Sequence, residues 1–190
     1  MPNSRRENKD ARQTSARREP FDVTPAAHSV DAEEESSRKL LLKELSCLPL
    51  AITQAAAYIN NNEISTRSYL DLLSKQKGKT TNPSDRRSEQ QLQRHAANRA
   101  VAITTLISLQ DVSRQDPMAA NCLFFMAYVD RKDILLDLLP TSPSTPTEET
   151  VKLLSIYAIL IQRPASSAVE LHQLVHLTIR NYLQEQGLLY

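Results

Sequence analysis

The stretch that decides the fold runs from Leu40 to Asn60 and reads LLLKELSCLPLAITQAAAYIN. Leucines spaced one helical turn apart precede Pro49, and apolar residues resume the same spacing after it. Proline fixes φ and has no amide proton, so it ends one helix and suits the first turn of another. The second helix is apolar almost all round, which predicts burial, with Ala55 and Ala56 facing closely packed neighbours.

The composition of the chain favours a mainly helical, soluble protein. Its 190 residues include 41% hydrophobic residues, 2 glycines and 10 prolines, as expected of helices joined by proline-marked loops. The net charge of +1 gives no general argument for nucleic acid or membrane binding, and no apolar run approaches the roughly 18 residues of a membrane span. Cys47 and Cys122, in a chain without a secretory signal, predict buried free thiols in a cytoplasmic protein.

The distribution of apolar residues divides the chain into three parts. Residues 1–37 carry few large apolar groups and are expected to form a disordered tail. A helical domain is predicted for residues 38–92 and a second domain for residues 93–190. The boundary between them lies at the end of the polar stretch 77–92, which is punctuated by glycine and proline.

The second domain shows helix signals followed by strand signals. Asp116 and Pro117 are typical of an N-cap followed by a proline in the first turn. Residues 156–162 are rich in strand formers, and a turn separates them from Ala168–Leu171, which predicts a short hairpin. A final helix begins near His172. The predicted fold is therefore mainly α, with a helical bundle followed by a winged-helix-like unit that contains the hairpin.

Two short motifs resemble those of NB-ARC signalling ATPases, and most closely the fungal branch that carries tetratricopeptide repeats. Leu48-Pro49-Leu50-Ala51 is similar to the GLPLA motif, with Cys47 in place of its glycine. Leu171, His172 and Gln173 resemble the MHD motif, with Gln173 in place of its aspartate. The resemblance covers about residues 38–187. It implies the helical and winged-helix (ARC) portion of such a protein, without the nucleotide-binding domain or the repeats.

This resemblance assigns cofactor contacts to Pro49, which would pack on adenine, and to His172, which would contact the phosphates of ADP. Binding of ADP or ATP also needs a phosphate-binding loop. Lys77-Gly78-Lys79-Thr80 imitates the end of a Walker A motif, but position 73 is leucine and a helix precedes it. We therefore expect both contacts to be vestigial, with no cofactor and no nucleotide bound at the micromolar level.

Other chemistry finds little support in the sequence. His172 and His176 lie four residues apart and could share a metal ion, but Gln173 rules out an HExxH motif and no third ligand follows. No arrangement of serine, histidine and acid, and no carboxylate pair in a known motif, indicates catalysis. We therefore predict no metal site and no enzyme activity.

The sequence favours a non-catalytic regulatory or interaction fragment of an NB-ARC-type (STAND) signalling protein, with a protein partner that it does not identify. The alternative is a free-standing winged-helix DNA-binding protein. The final helix offers only Arg180 against Glu185, which is little positive charge for phosphate contacts. Nucleic acid and membrane are therefore not expected partners.

Overall fold

The computed structural model describes residues 25–79, 89–141 and 147–188. Within these ranges the chain is mainly helical with one small antiparallel sheet, as predicted. The helices are α1 (Pro25–Glu44), α2 (Pro49–Asn61), α3 (Thr66–Lys79), α4 (Glu89–Gln115), α5 (Pro117–Tyr128), α6 (Thr147–Ile156) and α7 (Gln173–Glu185). The strands are β1 (Ile134–Leu135), β2 (Leu160–Arg163) and β3 (Ala168–Leu171), and single 3-10 turns follow β1 and β2.

Helix starts coincide with the signals that the sequence carries. Pro49 and Pro117 each occupy the first turn of their helices. The Asp116 carboxylate accepts a hydrogen bond of 2.9 Å from the Met118 amide, and the Ser65 hydroxyl accepts one of 3.1 Å from the Ser68 amide. Each side chain satisfies a backbone donor that the helix leaves unpaired. The predicted starts of α2 and α5 are confirmed.

Helix α4 is the element against which most of the others pack. Helices α2 and α3 contact it, and so do α5 and α7, while α1 packs on α3. Its buried apolar side chains join a single continuous core with residues from both predicted domains; they are Ala100, Val101, Ile103, Ile107, Leu109 and Val112. Helices α2 and α7, which carry the two motifs, therefore both pack against α4.

The sheet has the strand order β1-β3-β2, with both pairs antiparallel. Leu160 pairs with Leu171 at the open end of the predicted hairpin, and Ile134 of β1 pairs with Val169. These four side chains are buried, so one face of the sheet belongs to the core. The hairpin was predicted, whereas β1 was not, because a two-residue strand is too short to show alternation.

Several features differ from the sequence predictions. Helix α1 begins at Pro25, so residues 25–37 are helical rather than part of an irregular tail; residues 1–24 lie outside the described ranges. Ion pairs of 3.5 Å between Glu34 and Arg38 and 3.3 Å between Glu35 and Lys39 join consecutive turns of α1. Pairs at this spacing stabilise a helix modestly. The acidic residues followed four positions later by basic residues are therefore the sequence signal for this part of α1.

Helix α2 presents a different face to the core from the one that we predicted. Ala55 is fully buried, as expected, but Ala56 is exposed. Ala51 and Gln54 complete the buried side of the helix. The predicted inward position of Ala56 is wrong because the neighbouring helices α3 and α4 lie toward the side of Gln54 and Ala55.

The two cysteines have different environments, and both are free thiols. Cys47 is exposed, contrary to the prediction of burial, whereas Cys122 is buried and its thiol donates to the Pro140 carbonyl at 3.4 Å. Burial, with a smaller contribution from the Asp116 carboxylate, raises the pKa of Cys122 from 9.0 to about 11.

The raised pKa of Cys122 predicts a loss of stability at alkaline pH. The thiol of the unfolded chain loses its proton first, so the free energy of unfolding should fall as the pH rises from 9.0 through about 11. Urea unfolding at several pH values measures this slope, and Cys122→Ala should reduce it. Ionisation of the buried tyrosines also changes the free energy of unfolding above about pH 10, but it does so in both proteins. Equal slopes for the two proteins would contradict the prediction.

Among the residues that the structure describes, no helix combines the length and the hydropathy that are needed to cross a membrane.

Candidate functional site

The turn before Pro49 has a left-handed backbone. Ser46 and Cys47 have φ values of 54° and 52°. The Cys47 amide donates to the Leu42 carbonyl at 3.0 Å, which closes the end of α1. The left-handed region suits glycine, so this geometry gives a physical reason for a glycine at the position that Cys47 occupies.

Cys47→Gly is expected to stabilise the protein by about 0.5–1 kcal/mol, since it relieves a left-handed non-glycine residue at some cost in chain entropy. Urea unfolding measures the change. Cys47→Ala is the matched control, because it removes the thiol but keeps the Cβ atom, and it should give no gain. A gain of equal size in both variants would assign the effect to the thiol instead.

Pro49 lies exposed at the first position of α2. Its carbonyl accepts a hydrogen bond of 2.8 Å from the Thr53 hydroxyl within the same helix. The preceding Leu48 has an extended backbone and contributes no side-chain cap. Pro49 therefore acts as a helix starter, and its ring is open to contact from outside the chain.

His172 is the N-cap of α7. Its Nδ1 accepts a hydrogen bond of 3.1 Å from the Leu174 amide, which places the ring proton of a neutral histidine on Nε2. The side chain is exposed, as is the neighbouring Gln173. The His172 side chain therefore caps the start of the helix, and its Nε2 has no hydrogen-bond partner among the described residues.

No hydrogen bond joins Pro49 to His172 in the part of the chain described here. Helices α2 and α7 both pack against α4. The other residues considered from the sequence are engaged elsewhere. His176 Nε2 lies 3.2 Å from the Val129 carbonyl, and the Arg180 guanidinium donates to the Ala127 carbonyl at 2.8 Å. Both side chains therefore cap the end of α5.

The segment that imitates a Walker A motif is helical as far as it is described. Lys77 and Gly78 lie in the last turns of α3, and Lys77 forms an ion pair with Glu44 of α1. Thr80 lies outside the described residues. The expected helix before the motif is confirmed, and its backbone does not form the loop between strand and helix that a phosphate site needs. Across residues 25–79, 89–141 and 147–188, no three metal-binding side chains come together.

A buried polar contact that sequence reasoning missed lies where α2 meets α4. Gln54 is fully buried, and its Oε1 accepts hydrogen bonds from Thr104 at 2.6 Å and Thr105 at 3.2 Å. Its amide nitrogen lies 3.5 Å from the carbonyl oxygen of Ala158, which follows α6. The only signal in the sequence is a glutamine in an otherwise apolar helix.

A second polar cluster, the Tyr157 network, consists of Asn61, Asn62, Asp111, Gln115 and Tyr157. The Tyr157 hydroxyl donates to Asp111 Oδ2 and accepts hydrogen bonds from Asn61 at 2.6 Å and Gln115 at 2.7 Å. Asn62 and Gln115 also donate to Asp111 Oδ2, each at 3.0 Å. Burial raises the pKa of Tyr157, and so does its bond to Asp111. The network ties the end of α2 to α4 and to the end of α6.

Comparison with known proteins relates the chain to part of a longer protein. The chain is 31% identical, over 82% of its length, to a "Nucleotide-binding leucine-rich repeat (NLR)-like protein" of Hyaloscypha variabilis. No protein-family model and no solved structure matches it. The chain spans 16% of the length of this relative. The protein is therefore related to a segment of an NLR-like protein.

Proposed function

We propose that this chain is the helical and winged-helix-like (ARC) portion of an NB-ARC-type signalling protein, with a regulatory rather than a catalytic role. The observation that carries the proposal is the similarity to the NLR-like protein, which extends over 82% of the chain. A similarity of this extent covers both predicted domains and not one short motif. The protein that it matches is described by its name as nucleotide-binding.

The order of elements supports the assignment of the second domain. Helices α5 and α6 are followed by the hairpin of β2 and β3 and then by α7, while β1 adds a third strand beside β3. This is the order that we expect of a winged-helix-like unit. The motif residue His172 stands where the hairpin ends and α7 begins, so the fold gives it a fixed position.

The backbone around Pro49 supports the assignment of the first domain. The turn at Cys47 adopts the conformation that the glycine of a GLPLA motif would favour. In an intact protein of this kind, the resemblance implies that Pro49 and His172 close over ADP and hold a switch in its inactive state. We propose that here they form one side of a site whose phosphate-binding side belongs to another part of such a protein.

A protein partner in the cytoplasm fits this role better than DNA. The single arginine of α7, Arg180, is half-buried and donates to the Ala127 carbonyl, so it is already committed to packing. Recognition by an inserted helix requires arginine or lysine that is free to contact phosphates and base edges. The regulatory role is therefore the function that we propose.

A chimera tests the proposal. The segment of the Hyaloscypha variabilis protein that matches this chain is replaced by the chain, and the ADP that remains bound after purification is measured. The proposal predicts that the parent and the chimera both retain ADP and that His172→Leu in the chimera reduces the amount. A chimera that melts cooperatively, yet loses the nucleotide that its parent holds, would contradict the proposal.

A further inference from the structure

A cavity of about 140 Å³ lies between α3 and α4, and we call it the α3–α4 cavity. Its apolar lining includes Leu72 and Ile107. Side chains one helical turn apart on each helix line its sides, among them Lys75 on α3 and Arg114 on α4. Neither Pro49 nor His172 lines this cavity, so it is distinct from the two motif residues.

Two cations line the α3–α4 cavity. Lys75 and Arg114 are both exposed, and neither forms an ion pair with a carboxylate in the described part of the chain. Two other basic residues of these helices are engaged: Lys77 pairs with Glu44, and Arg99 donates to the Lys77 carbonyl at 3.4 Å. The cavity thus brings together positive charge that the fold itself does not use.

The Tyr58 hydroxyl adds a hydrogen-bond donor at the same place. Tyr58 lines the cavity, and its hydroxyl has no hydrogen-bond partner among the residues described. Burial raises the pKa of Tyr58, the charge of Asp111 raises it further, and the charge of Arg114 lowers it. The phenol therefore lies within electrostatic reach of both charged side chains.

Asp111 also lines the cavity, and its carboxylate belongs to the Tyr157 network. Its Oδ2 accepts hydrogen bonds from Tyr157, Asn62 and Gln115 in the Tyr157 network. These three hydrogen bonds stabilise the negative charge on Oδ2. The cavity lining carries two cations, Lys75 and Arg114, and one carboxylate, Asp111, so its formal net charge is positive.

We propose that the α3–α4 cavity binds a small oxyanion, a carboxylate or a phosphate, between Lys75 and Arg114 with the Tyr58 hydroxyl as a further donor. Charge-assisted hydrogen bonds from lysine and arginine are the usual means of holding such groups. The volume of about 140 Å³ admits the anionic group and not a whole nucleotide. The site does not depend on the regulatory role proposed above.

Titration of the full chain with inorganic phosphate and, separately, with acetate tests this site. Amide shifts are followed by nuclear magnetic resonance at an ionic strength held constant with chloride. We expect saturable shifts in the last turns of α3 and α4, with millimolar affinity. Lys75→Gln and Arg114→Gln should each weaken binding about tenfold, and Tyr58→Phe several-fold, as expected when charged and neutral hydrogen bonds are lost.

Arg67→Gln is the matched control, because Arg67 is an exposed cation of α3 that does not line the cavity. Its binding constant should equal that of the unmodified chain. The response to acetate and phosphate distinguishes a carboxylate from a phosphate preference. Shifts that do not saturate with either anion, or that survive in the Lys75→Gln, Arg114→Gln double variant, would overturn the proposal.

Discussion

Tyr157→Phe is expected to lower the free energy of unfolding by about 1–3 kcal/mol, the usual contribution of a hydrogen bond to a charged group. Tyr157 is fully buried, and its hydroxyl is the one atom that contacts Asn61, Gln115 and Asp111 together. Phenylalanine fills almost the same space, so the loss reports the hydrogen bonds and not a cavity. Urea unfolding at neutral pH measures it.

Tyr182→Phe is the control for this prediction. Tyr182 stacks on Phe124 with ring centroids 6.3 Å apart, and its hydroxyl has no hydrogen-bond partner within the described ranges. Its loss should change stability by no more than about 0.5 kcal/mol, as is common for a group without such partners. Equal changes in the two variants would mean that the Tyr157 network contributes nothing specific.

Ala55→Leu is expected to destabilise the protein by about 1–3 kcal/mol, the typical cost of overpacking a well-filled core. Ala55 is fully buried on the side of α2 that contacts α3 and α4. Three extra carbon atoms at this position must push a helix outward or adopt a strained rotamer. Thermal or urea unfolding gives the magnitude.

Ala56→Leu provides the comparison one residue along the same helix. Ala56 is exposed, so leucine there should change the free energy of unfolding by less than about 0.5 kcal/mol. The pair therefore measures which face of α2 is buried. A larger loss for Ala56→Leu than for Ala55→Leu would reverse the orientation of the helix that this structure gives.

Features that depend on a few neighbouring residues were predictable from the sequence. Pro49 and the Asp116-Pro117 pair start helices because the geometry of proline and a capping carboxylate acts within one turn. The hairpin that ends at Leu171 follows from strand formers on either side of a turn. The start of α7 at His172 is also a local feature, because the His172 side chain caps the helix that follows it.

Features that depend on distant residues were not predictable in this way. Gln54 finds its partners about fifty positions along the chain, and no pattern in α2 indicates them. The choice between Ala55 and Ala56 as the buried residue depends on where α3 and α4 lie, because both fall on the same broad helical stripe. The contacts of the α3–α4 cavity likewise combine three helices that the sequence alone does not place together.

Calorimetry of the purified chain with ADP and magnesium tests the central claim most directly. The claim is that Pro49 and His172 form one side of an incomplete nucleotide site. Affinity for phosphates comes largely from backbone amides and a lysine in a dedicated loop. Contacts from the Pro49 ring and the His172 imidazole alone must still overcome several kcal/mol of lost translational and rotational freedom of the ligand. We predict no binding tighter than roughly millimolar. A micromolar constant that His172→Leu abolishes would contradict the claim.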